Sequence, residues 1–285
     1  MKVTNKSAIV TGGASGIGLA IARELTARDC KVVIADWDAE GAKNAAEELG
    51  ENALAMHFDA ADIASVESLA DQAWEATGGI DFVFANAGVS SNAPLLQAEA
   101  VAFDWLMNVN VRGVWATGKA FINKMIAAER TGHLTITASE HSLGLQHAGA
   151  GFYTASKHAV LGLAEVMRAE LPENIGISVF CPGLVETNIY DAGRFGVLPP
   201  APEEMKAFGA AIMSKGMAPD IVARAAVNGT EKGAFYIVTH PTAFAAAEKR
   251  FNEIKQAFDD QAPMTDHAKR YDVNTVVAEV LDELS

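Results

Sequence analysis

SAIVTGGASGIG, residues 7–18, is a short apolar run that ends in a glycine cluster and gives way to helical spacing. SAIVTGG (7–13) reads as a buried strand with a glycine turn, and IGLAIARELTARD (17–29) places apolar residues at the period of an amphipathic helix. Gly12, Gly16 and Gly18 hold the junction in a G-x-x-x-G-x-G spacing. Glycines at such a turn let the backbone approach a pyrophosphate, whose charge the helix N-terminus then stabilises. Ser15 adds a hydroxyl donor to the same turn, and Ile17 follows it. Taken alone, the cluster fits any tight loop, so the next strand decides.

That strand is KVVIAD (31–36), ending in an acid, Asp36, 18 positions after Gly18. A carboxylate there accepts hydrogen bonds from both ribose hydroxyls of NAD and repels the 2′-phosphate of NADP. No Arg or Lys interrupts the glycine turn, so NAD is the expected cofactor. Trp37 borders the same place.

The alternation continues outward. AEGAKNAAEELG (39–50) is a helix closed by Gly50, ALAMHFD (53–59) a third strand, and 63–79 a helix; IDFVFANAG (80–88) is a fourth strand. A long helix is expected over 97–129, broken near Asn108–Asn110. HLTITAS (133–139) is a fifth strand, about 152–171 a helix ending at Leu171-Pro172, GISVFCPG (176–183) a sixth strand and GAFYIVTH (233–240) a seventh. Strands separated by helices of this length imply parallel βαβ units with right-handed crossovers, and continuously apolar strands imply helices on both faces. The fold class is therefore α/β: a single doubly wound Rossmann-type domain, with a seven-stranded parallel sheet flanked by helices and a C-terminal helical extension. The expected core covers about 5–241, a lid of irregular character about 188–222 and the extension about 242–285.

With 285 residues, half of them hydrophobic, the chain can bury a full core, and its net charge of −14 argues against nucleic acid or anionic membrane surfaces as partners. Cys30 and Cys181 are too few for a disulfide framework or zinc cluster, so reduced, buried thiols are expected. No cationic region followed by an apolar run precedes the first strand, and no apolar run of ~18 residues occurs, so a cytoplasmic location is expected.

The densest chemistry lies in TASEHSLGLQHAGAGFYTASK (137–157). Ser139, Glu140 and His141 tempt a hydrolase reading, but adjacent residues of an extended chain point to opposite faces, and no G-x-S-x-G elbow surrounds the serine. A zinc site from His133, His141 and His147 lacks HExxH or a cysteine ligand, and no metal is expected.

TGGASGIG (11–18), ANAG (85–88), NVNVRG (108–113), the Ser139 strand end, YTASK (153–157) and PGLVET (182–187) occur in that order. Together they resemble the short-chain dehydrogenase/reductase family over about residues 5–240. The resemblance implies hydride exchange between nicotinamide and an alcohol or carbonyl carbon. It assigns Tyr153 as catalytic acid/base, Lys157 as its partner, Ser139 as the carbonyl-polarising hydroxyl and Asn110 as the helix-breaking asparagine of the proton relay. Asp59, with Ala60 beside it, matches the residue contacting the adenine; Asn86, Ala87 and Gly88 line the cofactor floor. Pro182 and Gly183 complete that set, while Val185 and Thr187 hold the carboxamide. Homodimers or homotetramers are usual in the family.

The residues support these roles on their own chemistry. Tyr153 and Lys157 are i and i+4 and share one helix face. A free phenol titrates near ~10, whereas an adjacent ammonium and the positive nicotinamide ring favour phenolate; a drop of roughly three units corresponds to about 4 kcal/mol. Ser139 lies 14 positions before Tyr153, one more than is usual in the family, which leaves Ser142 in the following loop as the alternative hydroxyl.

On the substrate side, His141 and His147 of the loop, with Tyr190 and Phe195 of the lid, are expected in the pocket. The lid inventory of Ile189, Tyr190, Phe195, Val197, Leu198, Phe208, Met213 and Met217 suits a hydrophobic, aromatic or alicyclic, secondary alcohol or ketone. A polyol- or sugar-directed family member, and a silent NAD-binding sensor or scaffold, are the alternatives. In the tail, Phe244, Phe251, Ile254 and Phe258 fall at helical spacing, giving a face to cover the lid or a neighbouring subunit. The tail and THP (239–241) resemble longer bacterial family members acting on aromatic, lignin-derived alcohols.

Overall fold

Alternate side chains of the first strand point into two different cores. The computed structural model describes residues 1–265 and 268–284. Strands β1 (Ser7–Thr11), β2 (Lys31–Asp36), β3 (Ala53–His57), β4 (Phe82–Ala85), β5 (Gly132–Thr137), β6 (Ile175–Cys181) and β7 (Tyr236–Val238) form one sheet in the order 3-2-1-4-5-6-7. Every neighbouring pair is parallel; Ile9, for example, lies opposite Val33 on one side and Val83 on the other.

Ala8 and Val10 of β1 face a core built with Ile21 and Leu25 of α1 (Gly16–Thr26), Ala42 of α2 (Ala39–Leu49) and Val222 and Val227 further along the chain. Ile9 faces the opposite core, with Leu69 of α3 (Ile63–Thr77), Phe121 and Met125, and Val160 and Ala164. Side chains of this size, fully buried, contribute about 1.5–3 kcal/mol each. Because both faces are covered, the strands read as continuous apolar runs rather than alternating ones.

The long helix is continuous rather than broken. α4 (Ala100–Leu106) passes into π-helical turns over Met107–Gly113 and on into α5 (Val114–Ala127). The expected interruption at Asn108–Asn110 is thus a widening of the helix that keeps the backbone in register to bond. α6 (Gly151–Glu170) follows β5 and ends before Pro172. The lid, expected to be irregular over 188–222, contains α7 (Glu203–Met213), and its last residues already belong to α8 (Pro219–Lys232), whose Val222 and Ala223 are buried in the core. Both helices carry start signals. Pro202 and two glutamates open α7; Pro219 and Asp220 open α8, and Gly233 caps it.

The chain divides into two compact units, Met1–Ala243 and Phe244–Ser285. The second holds α9 (Ala243–Gln261) beyond its first residue, a 3-10 turn (Ala268–Tyr271) and α10 (Val273–Leu284). Phe244, Phe251, Ile254 and Phe258 of α9 are exposed. No helix among the described residues is long and apolar enough to cross a membrane.

The strand order reverses direction at β1, which has β2 on one side and β4 on the other. In an open parallel sheet a crevice forms outside the carboxyl ends of the strands at this point. There the sequence motifs meet.

Candidate active site

A cavity of about 510 Å³ runs along the carboxyl edge of the sheet. Its β1–β2 end is built from backbone. Gly12 (φ +66°) and Gly16 (φ +53°) adopt left-handed conformations. A Cβ at Gly12 would come within 2.9 Å of Ala87 Cα, and one at Gly18 would run into the Gly12 carbonyl oxygen. Ser15 caps α1 with extended backbone but makes no side-chain capping bond, and no acidic residue sits in the helix's first turn. This leaves a positive helix end open toward the cleft.

Asp36 is fixed from both sides. Ala14 N–H donates to its Oδ2 (3.0 Å) and Asp38 N–H to its Oδ1 (3.0 Å). Two lone-pair positions remain, as a ribose diol requires. The floor is bolted through Thr11, whose Oγ1 accepts from Asn86 N–H (3.0 Å) and Ala87 N–H (3.1 Å). Asn86 in turn donates from Nδ2 to the Thr11 carbonyl (3.2 Å) and accepts from Thr137 Oγ1 (3.2 Å), so one side chain ties β1, β4 and β5 together.

At the β5–α6 end the groups are side chains withdrawn from water. Lys157 is buried and donates from Nζ to the Thr137 carbonyl at 2.9 Å, with the ammonium 5.7 Å from the centre of the Tyr153 ring. Burial pulls the Lys157 pKa down to about 8. Burial pushes the Tyr153 phenol up; a hydrogen bond with the Ser139 hydroxyl opposes this, and the Glu140 carboxylate adds to it. The expected lowering by the lysine is not what the chain's own groups produce: desolvation disfavours phenolate and ammonium alike.

Ser139 is thereby the serine on the tyrosine. It caps the 3-10 turn Glu140–Ser142, its Oγ accepting from His141 N–H. Ser142 donates to the Ser139 carbonyl, and its hydroxyl lies 3.8 Å from the buried thiol of Cys181. Cys30 is buried as well.

Asn110 is fully buried within the π-helical turns. Its Oδ1 accepts from Val89 N–H (2.8 Å), and its Nδ2 donates to the Val89 carbonyl (2.9 Å) and Ser156 Oγ (3.0 Å). It links the chain after β4 to the helix carrying Tyr153 and Lys157.

All the expected cofactor residues line this one cavity: Gly12, Ser15, Gly16, Ile17, Gly18, Asp36, Trp37, Asp59, Ala60, Asn86, Ala87, Gly88, Tyr153, Lys157, Pro182, Gly183, Val185 and Thr187. The expected substrate residues divide. His141 packs edge-on against the Tyr153 ring (5.3 Å between centroids) and bonds through Nδ1 to Thr154 Oγ1 (2.8 Å), and burial pulls it down to about 4. His147 is exposed, 5.0 Å from His141. Tyr190 lies over Gly209 of α7, where a Cβ would meet its ring at 2.9 Å, and does not line the cavity. Phe195 lines it, but beside Trp37 (5.8 Å) rather than beside Tyr153.

The sequence reading missed several contributors. Trp105 and Phe58 line the cavity, yet each sits in a helix or strand pattern that core packing explains equally well. His240 accepts from Gly183 N–H at Nδ1 (3.0 Å) and donates from Nε2 to the Leu184 carbonyl (2.9 Å), bracing the Pro182–Thr187 segment. Its THP context was visible, but its partner segment lies 57 residues away.

A family model described as "short chain dehydrogenase" matches residues 6–194. A C alpha-dehydrogenase from a Sphingobium species is 34% identical over 271 residues, covering 90% of this chain and 87% of the relative. A 1-deoxy-11-beta-hydroxypentalenate dehydrogenase from Streptomyces avermitilis is also 34% identical, over 89% of this chain and 92% of its own length. Among solved structures, a short chain dehydrogenase/reductase from Burkholderia phymatum in complex with NAD superposes with a TM-score of 0.85 at 30% identity, covering 93% of this chain and 99% of that one.

Proposed function

This chain belongs to the short chain dehydrogenase family of oxidoreductases, and from that premise we propose that it exchanges a hydride between NAD(H) and a hydrophobic secondary alcohol or ketone, with Tyr153 as general acid/base. The observation that carries the reading is one cleft bounded by a glycine turn and a braced Asp36 at one end and by Tyr153 and Lys157 at the other, with Ser139 on the tyrosine.

The residues fit a dinucleotide. The glycine cradle would be filled by any Cβ at Gly12, and Asp36 retains the acceptor positions a ribose diol needs. The selectivity for NAD over NADP rests on that carboxylate. When bound, the nicotinamide supplies hydride acceptance and donation.

The chain's own groups do the rest. In oxidation Tyr153 takes the hydroxyl proton of the alcohol and in reduction returns it to the carbonyl oxygen. Ser139 hydrogen-bonds the same oxygen and holds the phenol in line. Lys157, fixed by the Thr137 carbonyl, holds its ammonium 5.7 Å from the centre of the Tyr153 ring. Asn110 holds Val89 and Ser156, and with them the spacing between the floor and α6. Val89, Val109, Ile189, Val197 and Met213 make much of the cavity wall apolar, which supports an aromatic or alicyclic substrate over a polyol.

The test is NADH absorbance on mixing the protein with NAD and a panel of secondary alcohols. Aryl and cyclic alcohols are expected to react with the higher kcat/KM. A preference for polyols would overturn the substrate class, and comparable kcat/KM with NADP would overturn the cofactor assignment.

A further inference from the structure

The lid begins at the catalytic end but does not stay there. The residues just before it are hydrogen-bonded to Met217 near its far end: Glu186 N–H donates to the Met217 carbonyl (3.1 Å) and Met217 N–H to the Leu184 carbonyl (2.9 Å). Thr187 lies against the glycine turn, its Cγ2 3.0 Å from where a Gly16 Cβ would stand. Further on, Phe195 stands 5.8 Å from Trp37, the rings at 68°, and 5.6 Å from Trp105. Trp37 follows β2, and Tyr153 sits beyond β5, three strand spacings or roughly 14 Å away across the sheet. The segment therefore crosses the carboxyl edge from β6 to β2 as a strap.

Phe195 is also held from behind. The Arg194 guanidinium lies 4.7 Å from its ring centre, and Arg194 Nη1 donates to the Asn188 carbonyl at 2.9 Å. Trp37 is half exposed (51%), and both rings line the cleft beside Asp36 and Asp59.

The geometry points to an adenine-binding corner shared between the sheet and the strap, with Trp37 supplying one aromatic face and Phe195 the other. A purine stacked on one ring meets the edge of the other, the arrangement aromatic quadrupoles favour. This rests on the reading of the cleft as an NAD(H) site and extends it: Phe195, though part of the lid, is a cofactor-affinity residue and not part of the substrate wall. The strap is then fastened at its root near Met217 and at its tip by the adenosine, and the dinucleotide leaves only when Phe195 parts from Trp37.

ADP-ribose, which has the adenosine and pyrophosphate but no nicotinamide, is the probe. Calorimetric titration of wild type, Phe195→Ala and the volume-conserving Phe195→Leu is expected to raise the Kd for ADP-ribose and for NADH together, about tenfold, as loss of one aromatic stacking partner does. The KM for alcohol at saturating NAD is expected to stay within twofold. An unchanged ADP-ribose Kd with a raised alcohol KM, in both variants, would place Phe195 in the substrate wall and overturn the proposal. If wild type itself bound neither ADP-ribose nor NADH, the cofactor reading would fall first, and the corner with it.

Discussion

At the β1–β2 end of the cleft the ligand-facing groups are mostly backbone: positive-φ glycines, the open end of α1 and a single carboxylate held by two amides. At the β5–α6 end they are side chains taken out of water, with Tyr153 raised and Lys157 lowered by burial. The first end recognises by shape and fixed dipoles, which cost nothing further when a ligand arrives. The second end holds ionisable groups away from their ordinary protonation, a cost carried by the folded chain. Binding and proton transfer should therefore be separable by substitution at one end or the other.

The largest effect is expected from Tyr153→Phe. It should lower kcat by roughly a thousandfold, the range of general acid–base catalysis, with the NADH Kd moving less than twofold. Retained turnover would break the division at its catalytic end. Gly12→Val sits opposite: a branched side chain in a left-handed conformation, 2.9 Å from Ala87 Cα, should weaken NADH binding by tenfold or more. Fluorescence titration beside a thermal melt separates lost affinity from lost fold, and wild-type affinity in a folded variant would show that the cradle is not where the dinucleotide lies.

Asp36→Ala removes charged hydrogen bonds worth about 1.5–3 kcal/mol and should reduce the NAD/NADP ratio of kcat/KM by roughly tenfold or more. An unchanged ratio would move cofactor selection elsewhere. The smallest effect belongs to Glu140→Gln. Oxidation needs phenolate, so its rate rises as pH climbs toward the Tyr153 pKa, which burial has pushed up and the Glu140 charge pushes further. Removing that charge should shift the rising limb of kcat/KM to lower pH while leaving ADP-ribose affinity unchanged. A limb that stays in place, or moves up, would show that Glu140 does not face the phenol electrostatically.

The backbone end was the more legible of the two. Glycine spacing, the strand before it and the acid after the next strand are local signals, and the family resemblance ordered the rest. Tyr153 and Lys157 were readable because i and i+4 share a helix face. Their protonation was not, since it depends on how completely the folded chain withdraws both groups from water. The lid was read as irregular although Pro202-Glu203-Glu204 and Pro219-Asp220 announce two helices; its apolar residues suggested a substrate wall, which outweighed those start signals. Of the two lid aromatics expected in the pocket, Phe195 lines the cavity and Tyr190 does not, because a composition says what a lid contains and not which way it crosses.

The sequence by itself determined the parallel α/β sheet, the place of the cleft at its reversal point, and the residues that bound it. Those depend on hydrophobic period, turn chemistry and motif order, all properties of neighbouring residues. Tertiary structure alone decided that His240 braces Gly183 and that Phe195 meets Trp37 and Trp105. Each of these joins segments separated along the chain, and their distances are set by how the strap and helices pack across the sheet edge.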